Sequence, residues 1–137
     1  MSAPLVVGYD DSECSRAALA EALRMSEELD APVIAVFGYA PSRTGGEVAD
    51  FAAALRELAE NVLGHAVHQA EAAGRQIEIE VVDDRPAEAL VRAAAQHEAR
   101  LIVVGEYGQS PIKGAILGST AYRLLGLSDR PVLVVPV

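Results

Sequence analysis

The sequence predicts an α/β domain, an open doubly wound sheet of five parallel strands with helices on both faces. Two observations predict it. Five short apolar runs punctuate the chain, Pro4–Gly8, Pro32–Phe37, Gln76–Val82, Leu101–Val104 and Pro131–Val135. All but one are continuously apolar, as strands buried on both faces of a parallel sheet are. Between them lie stretches with helical spacing, so the order reads β-α-β-α-β-α-β-α-β within one domain spanning 1–137. Right-handed crossovers then put helices on both sides of the sheet.

Each element has a local cause. The first helix starts after Ser12, a good N-cap, with Glu13 well placed against the helix dipole. Ala18, Ala22, Met25 and Leu29 follow on one face. The second helix runs from about Glu47 to Ala73 with a stripe of Val48, Phe51, Leu55, Leu58 and Val62, and Gly74 is its expected stop. In Gln76–Val82, Ile77, Ile79 and Val81 alternate with Glu78 and Glu80, which places that strand at an edge with one face toward water. Pro86 suits the first turn of a third helix through His97, and a fourth begins near Ser119 and ends by Gly126.

Composition excludes several classes. A net charge of -9 with Lys113 as the sole lysine leaves no electrostatic footprint for nucleic acid, and an anionic membrane surface would repel the chain. No apolar stretch approaches the roughly 20 residues that cross a bilayer, and Met1–Gly8 lacks the basic start and long apolar run of a signal peptide. A single cysteine, Cys14, excludes an internal disulfide and a cysteine-based metal cage. These features lead us to expect a cytoplasmic protein.

In doubly wound sheets ligands bind beyond the carboxyl ends of the strands, where the strand order reverses. That singles out Asp10–Ser12, Gly38–Pro41 and Gly105–Gly118. The last connection is long, against about 2 to 6 residues for most such loops. It is also rich in glycine, which lets backbone N–H groups approach an anion. Ser119 and Thr120 add hydroxyls at a helix start, where the dipole favours negative charge. Loop composition alone leaves open an idle connection with Ser119 as a simple N-cap.

The pattern G-x2-G-x9-G-[ST] is met by Gly105, Gly108, Gly118 and Ser119, and it resembles the ATP-binding signature of the universal stress proteins. Val6-Val7-Gly8-Tyr9-Asp10-Asp11-Ser12, followed by Ser15, is similar to that family's first strand and acidic turn, and Leu101–Gly105 and Pro131–Pro136 resemble its C-terminal half. The resemblance implies a Rossmann-like sheet of the adenine nucleotide alpha hydrolase kind and an ATP-binding regulatory role in stress response. It implies Asp10 beside adenine or ribose, with Gly8 and Gly38 offering backbone there. Gly105, Gly108 and Gln109 would line ribose and phosphates, and Gly118, Ser119 and Thr120 would hold the phosphate tail. Mg²⁺ would ride on the phosphates without a protein cage. No general base or arginine finger is evident, so hydrolysis would be slow at most. The chain departs from the family pattern at Glu106 and Tyr107, and at Asp11, where a glycine is often found. Glu106 is expected to face solvent, with Lys113 offsetting the extra acids.

Other constellations are weaker. Asp10-Asp11 with Asp83-Asp84 resemble a response-regulator receiver, but the lysine that fold needs after its last strand is absent. A Walker P-loop is unmatched. His65 and His68 could face the same way on a helix, yet no third metal ligand lies near in sequence, and a solvated surface is the simpler account. The final run Pro131–Val135 is an apolar edge that invites pairing, and the family resemblance implies a homodimer through it. The alternative to an ATP binder is a nucleotide-free dimeric scaffold acting by protein–protein contacts, a reading favoured by Glu106 and Asp11.

Overall fold

A computed structural model describes residues 2–40, 48–108 and 117–137. The strands are β1 (Leu5–Gly8), β2 (Val33–Tyr39), β3 (Glu78–Asp83), β4 (Leu101–Gly105) and β5 (Val132–Val135). The helices are α1 (Glu13–Leu29), α2 (Val48–Ala72), α3 (Pro86–Gln96) and α4 (Ser119–Leu127). All strand pairs are parallel, in the order β3-β2-β1-β4-β5. The chain therefore works outward from β1 to β3, then crosses back to β4 and β5. Right-handed crossovers in opposite directions demand helices on opposite faces.

The core follows that rule. Alternate residues of the central strands point to opposite sides, so Leu5, Val7, Val33, Ala35 and Val103 join Leu19, Ala22 and Leu63 of α1 and α2. Val6, Ile34, Val36, Ile102 and Val104 join Leu90, Ala93 and Leu124 of α3 and α4. Continuous apolarity in these strands thus has its physical reason: both faces are covered. β3 lies at an edge as its alternation predicts, with Glu78 exposed. Ile79 is also left 44% exposed there.

Local signals hold at most boundaries. Ser12 caps α1, its side chain accepting from Ser15 N–H at 3.1 Å. Gly74 follows α2 with φ +73°, a left-handed conformation that glycine adopts without strain. Pro86 opens α3, and His97 ends it. The cap of α4 is Gly118 rather than Ser119, which occupies the first helical position.

The buried stripe of α2 differs from the expected one. Ala59, Leu63, Ala66 and Ala70 face the sheet. Phe51 and Leu58 are instead 48% and 52% exposed, while Val62 is only partly buried against the core. Length explains this. A helix of 25 residues is about 37 Å long, whereas the seven residues of β2 span about 23 Å. The early turns therefore overhang the strand ends, and alanines supply the close approach where the helix does cross the sheet. Leu63→Ala should lower unfolding free energy by about 2–5 kcal/mol. Phe51→Ala should stay within about 0.5 kcal/mol of the wild type. Urea unfolding measures both.

Candidate functional site

The strand order reverses between β1 and β4, and a cavity of about 480 Å³ opens at their carboxyl ends, within the range of small-molecule sites. The structure brings together Gly8, Asp10, Gly38, Gly105, Gly108, Gly118 and Thr120, all of which line it. Ser119 is exposed in the first turn of α4 and is not part of the lining. Gln109 and Lys113 lie outside the described residues. Sequence reasoning missed the apolar walls, formed by Val36, Phe37, Leu58, Val62, Leu90 and Val104. Leu58 and Val62 belong to the apolar stripe visible in the α2 sequence; Leu58 turns to the cavity, while Val62 both lines it and packs against the core.

The turn after β1 is held by a dense set of hydrogen bonds. The Asp10 carboxylate accepts from Ser12 N–H at 3.0 Å, Asp10 N–H donates to Ser15 Oγ at 3.3 Å, and Ser15 Oγ donates to Ser12 O at 3.0 Å. Ser12 and Ser15 are buried. These short hydroxyl side chains satisfy the turn internally, as Asx and capping motifs do. The result fixes Asp10 on one wall of the cavity. A Cβ on Gly108 would come within 3.0 Å of Asp10 Oδ2, so the loops after β1 and β4 meet across the opening.

Two glycines of the G-x2-G-x9-G-[ST] pattern are required by close approach. A Cβ on Gly105 would lie 2.6 Å from the backbone carbon of Cys14, so β4 ends directly against the first turn of α1. A Cβ on Gly118 would lie 3.1 Å from Tyr107 Cα and 3.2 Å from Glu106 O. Gly118 N–H donates to that same Glu106 carbonyl at 2.8 Å, which ties the start of α4 to the end of β4. The first N–H groups of α4 have no intrahelical acceptor, and Thr120 there lines the cavity.

Charge in the site is one-sided. The acidic lining residues are Asp10, Asp11 and Glu106, and no described lining residue is Lys, Arg or His. Glu106 is half-buried in the cavity wall instead of standing out in solvent as expected. Its neighbour Tyr107 has its phenol pushed up, first by burial and then by the charge of Glu106 and a hydrogen bond to it.

Asp11 adopts a left-handed conformation, φ 66°, which a short Asp side chain tolerates. Tyr9 O–H donates to Asp11 Oδ1 at 3.1 Å, and His65 Nδ1 lies 2.9 Å from Oδ2. Arg16 donates to the Asp11 carbonyl and has an amine 3.6 Å from the carboxylate. Burial opposes ionisation of Asp11, but hydrogen bonds from His65 and Tyr9 outweigh it and hold the carboxyl below its ordinary value. Burial, followed by the bond to Asp11, pushes the Tyr9 phenol up to about 12.

The competing constellations are not assembled. Asp84 accepts from Arg85 N–H at 2.8 Å and pairs with Arg92 at 3.2 Å, at the start of α3 and outside the cavity lining. His97, which ends α3, has its Nε2 3.0 Å from Glu80 of β3. Among the described residues no group of three or more His, Cys, Asp and Glu is placed to hold a metal ion. No helix among them is long and apolar enough to cross a membrane.

A parallel sheet reversing at β1/β4, with a glycine-rimmed cavity on its crest, defines a doubly wound α/β fold. The model of the universal stress protein family matches residues 1–136, and the chain belongs to that family. Universal stress protein MJ0531 of Methanocaldococcus jannaschii is 31% identical over 96% of this chain and 80% of its own length. The chain spans only 47% of universal stress protein MT2087 of Mycobacterium tuberculosis, at 32% identity over 96% of this chain. Among solved structures, a universal stress protein in complex with cAMP superposes with a TM-score of 0.77 at 32% identity, covering 98% of both chains. UspA from Lactobacillus plantarum superposes with a TM-score of 0.85 at 21% identity over 96% of both chains, a likeness of fold.

The lowered Asp11 pKa has a stability consequence. Its contribution is complete above the unfolded carboxyl value near 4 and is lost as pH falls through the lower folded value. Asp11→Asn should therefore destabilise the fold at pH 7 and shrink the acid-induced loss. Urea midpoints of both proteins, compared from pH 7 down to pH 2, check this.

Proposed function

We propose that this chain binds an adenine nucleotide, ATP in the first instance, in the cavity at the β1/β4 reversal, and acts as a regulatory protein in stress response. The observation that carries the reading is the chemistry of that cavity. Apolar walls from Val36, Phe37, Leu58 and Val62 suit a purine, and Asp10 offers a carboxylate to ribose hydroxyls. The opening of α4 supplies free N–H groups and the Thr120 hydroxyl to a phosphate. The relative solved with cAMP supports the ligand class. Gly8, Gly38, Gly105 and Gly108 would line the same nucleotide, with Gln109, Gly118 and Ser119 at its phosphate end. Mg²⁺ would travel on the phosphates, held by their oxygens and water.

Nucleotide binding would alter the surface formed by the Gly105–Gly118 connection, and a partner would read that surface. The described lining residues offer no Lys, Arg or His to stabilise a transferring phosphoryl group. Any hydrolysis would then be slow, consistent with a sensor in the cytoplasm. Calorimetric titration with ATP should give saturable binding. Gly118→Val should weaken it at least tenfold, because the new side chain forces apart Tyr107 and the start of α4. No binding of ATP, ADP or AMP at millimolar concentration would leave the nucleotide-free scaffold as the better account.

A second observation favours a homodimer through Pro131–Val135. β5 is an edge strand, and Tyr122 and Leu125 of the adjacent α4 are 73% and 57% exposed, as is Val137 at 70%. Pairing two such edges would cover unpaired backbone and apolar surface together. Light scattering at micromolar concentration should report twice the 14.4 kDa chain mass. The single-chain mass would exclude the dimer.

A further inference from the structure

We infer that His65 is a positioning residue for the nucleotide site, holding the charge of Asp11 in check so that phosphates can occupy a cavity otherwise lined by acids. The inference rests on the nucleotide reading and concerns how this chain accommodates its own departure from the family pattern.

The described lining residues bring three carboxylates and no cation to the cavity. A polyphosphate entering it would meet like charge, which repels. Asp11 receives partners from outside the lining, a hydrogen-bond donor and a guanidinium. His65 reaches it from α2, with Nδ1 2.9 Å from Oδ2, and Arg16 reaches it from α1 at 3.6 Å. A carboxylate accepts hydrogen bonds and cannot donate, so Nδ1 carries the proton. Tyr9 adds a neutral donor on the other oxygen at 3.1 Å. The left-handed backbone at Asp11 and these contacts together commit both oxygens to protein partners.

The placement of His65 follows from the α2 overhang. Leu58, Val62, His65 and Gln69 recur at spacings of four, three and four residues along the helix, so they share a face. Leu58 and Val62 line the cavity, His65 meets Asp11, and Gln69 Nε2 donates to Arg16 O at 2.9 Å. The neighbouring stripe, Ala59, Leu63 and Ala66, faces the sheet and fixes the rotation of the helix. One face of α2 therefore supplies both an apolar wall and a hydrogen-bond donor to Asp11.

The test separates a charge effect from a packing effect by varying the charge of the ligand. His65 is 64% exposed at its side chain, so His65→Ala should fold, and a thermal melt confirms it. Calorimetric affinities for ATP and adenosine are measured for wild type, His65→Ala and His65→Ala/Asp11→Asn. We expect His65→Ala to weaken ATP on the order of fivefold while adenosine changes less than twofold, and the ATP loss to shrink in 0.5 M salt. Adding Asp11→Asn should restore ATP binding to the wild-type level, because the charge that needed a partner is gone. Equal losses for both ligands, or no recovery in the double variant, would overturn the role of His65 while leaving nucleotide binding intact. Failure of the wild type to bind either ligand would remove the nucleotide reading and this inference with it.

Discussion

The pairing of β1 with β4 is the contact on which the site depends. These strands are neighbours in the sheet although two complete β-α units separate them in the chain. The connections leaving them therefore diverge to opposite faces, and a crevice is left where they part. Gly105 sets how tightly the crevice closes at its base, because β4 ends against the backbone of Cys14 with no space for a side chain. The hydrogen bond from Gly118 to Glu106 then returns the chain to the same rim. Asp10, Gly108 and Thr120 come together as a consequence of that geometry and of no direct interaction in sequence.

Around this frame the molecule handles polar groups in two ways. In the turn after β1, Ser12 and Ser15 are buried and fully engaged with backbone and with Asp10, so the turn is rigid without help from solvent. Elsewhere charged groups are paired: Asp11 with Arg16 of α1 and His65 of α2, Glu88 with Arg85 and with Arg123 of α4, and Glu80 of β3 with His97. Such part-exposed pairs add little stability individually. Their structural effect is orientation: Asp11 ties α1 to α2, Glu88 ties α3 to α4, and Glu80 ties the edge strand to the end of α3.

Much of the fold was legible because the relevant signals are local. Buried strands such as Leu101–Val104 read as continuous apolar runs, Glu78 and Glu80 marked an edge, and Ser12, Gly74 and Pro86 punctuated helices by their own backbone chemistry. The glycine spacing from Gly105 to Gly118 likewise marked the cavity rim: Gly105 has no room for a Cβ, and Gly118 little. The α2 face was not legible. Leu55, Leu58 and Val62 and the stripe of Ala59, Leu63 and Ala66 are both apolar, and bulk favoured the wrong one. The choice between them is made by which face packs on the sheet, a tertiary contact. The meeting of Asp11 with His65, 54 residues apart, was equally invisible. Glu106 was expected in solvent from its charge alone, whereas the backbone bond from Gly118 holds it in the wall.

The overhang of α2 divides that helix into two mechanical regimes. Beyond Ala59 it is anchored by residues with no solvent exposure, Leu63, Ala66 and Ala70. From Asp50 to Leu58 its side chains are exposed or only partly buried, the character of segments that open more readily than a core. This part of the helix forms one side of the cavity through Leu58. A change confined to that end would reshape the cavity wall while both hydrophobic layers stay closed.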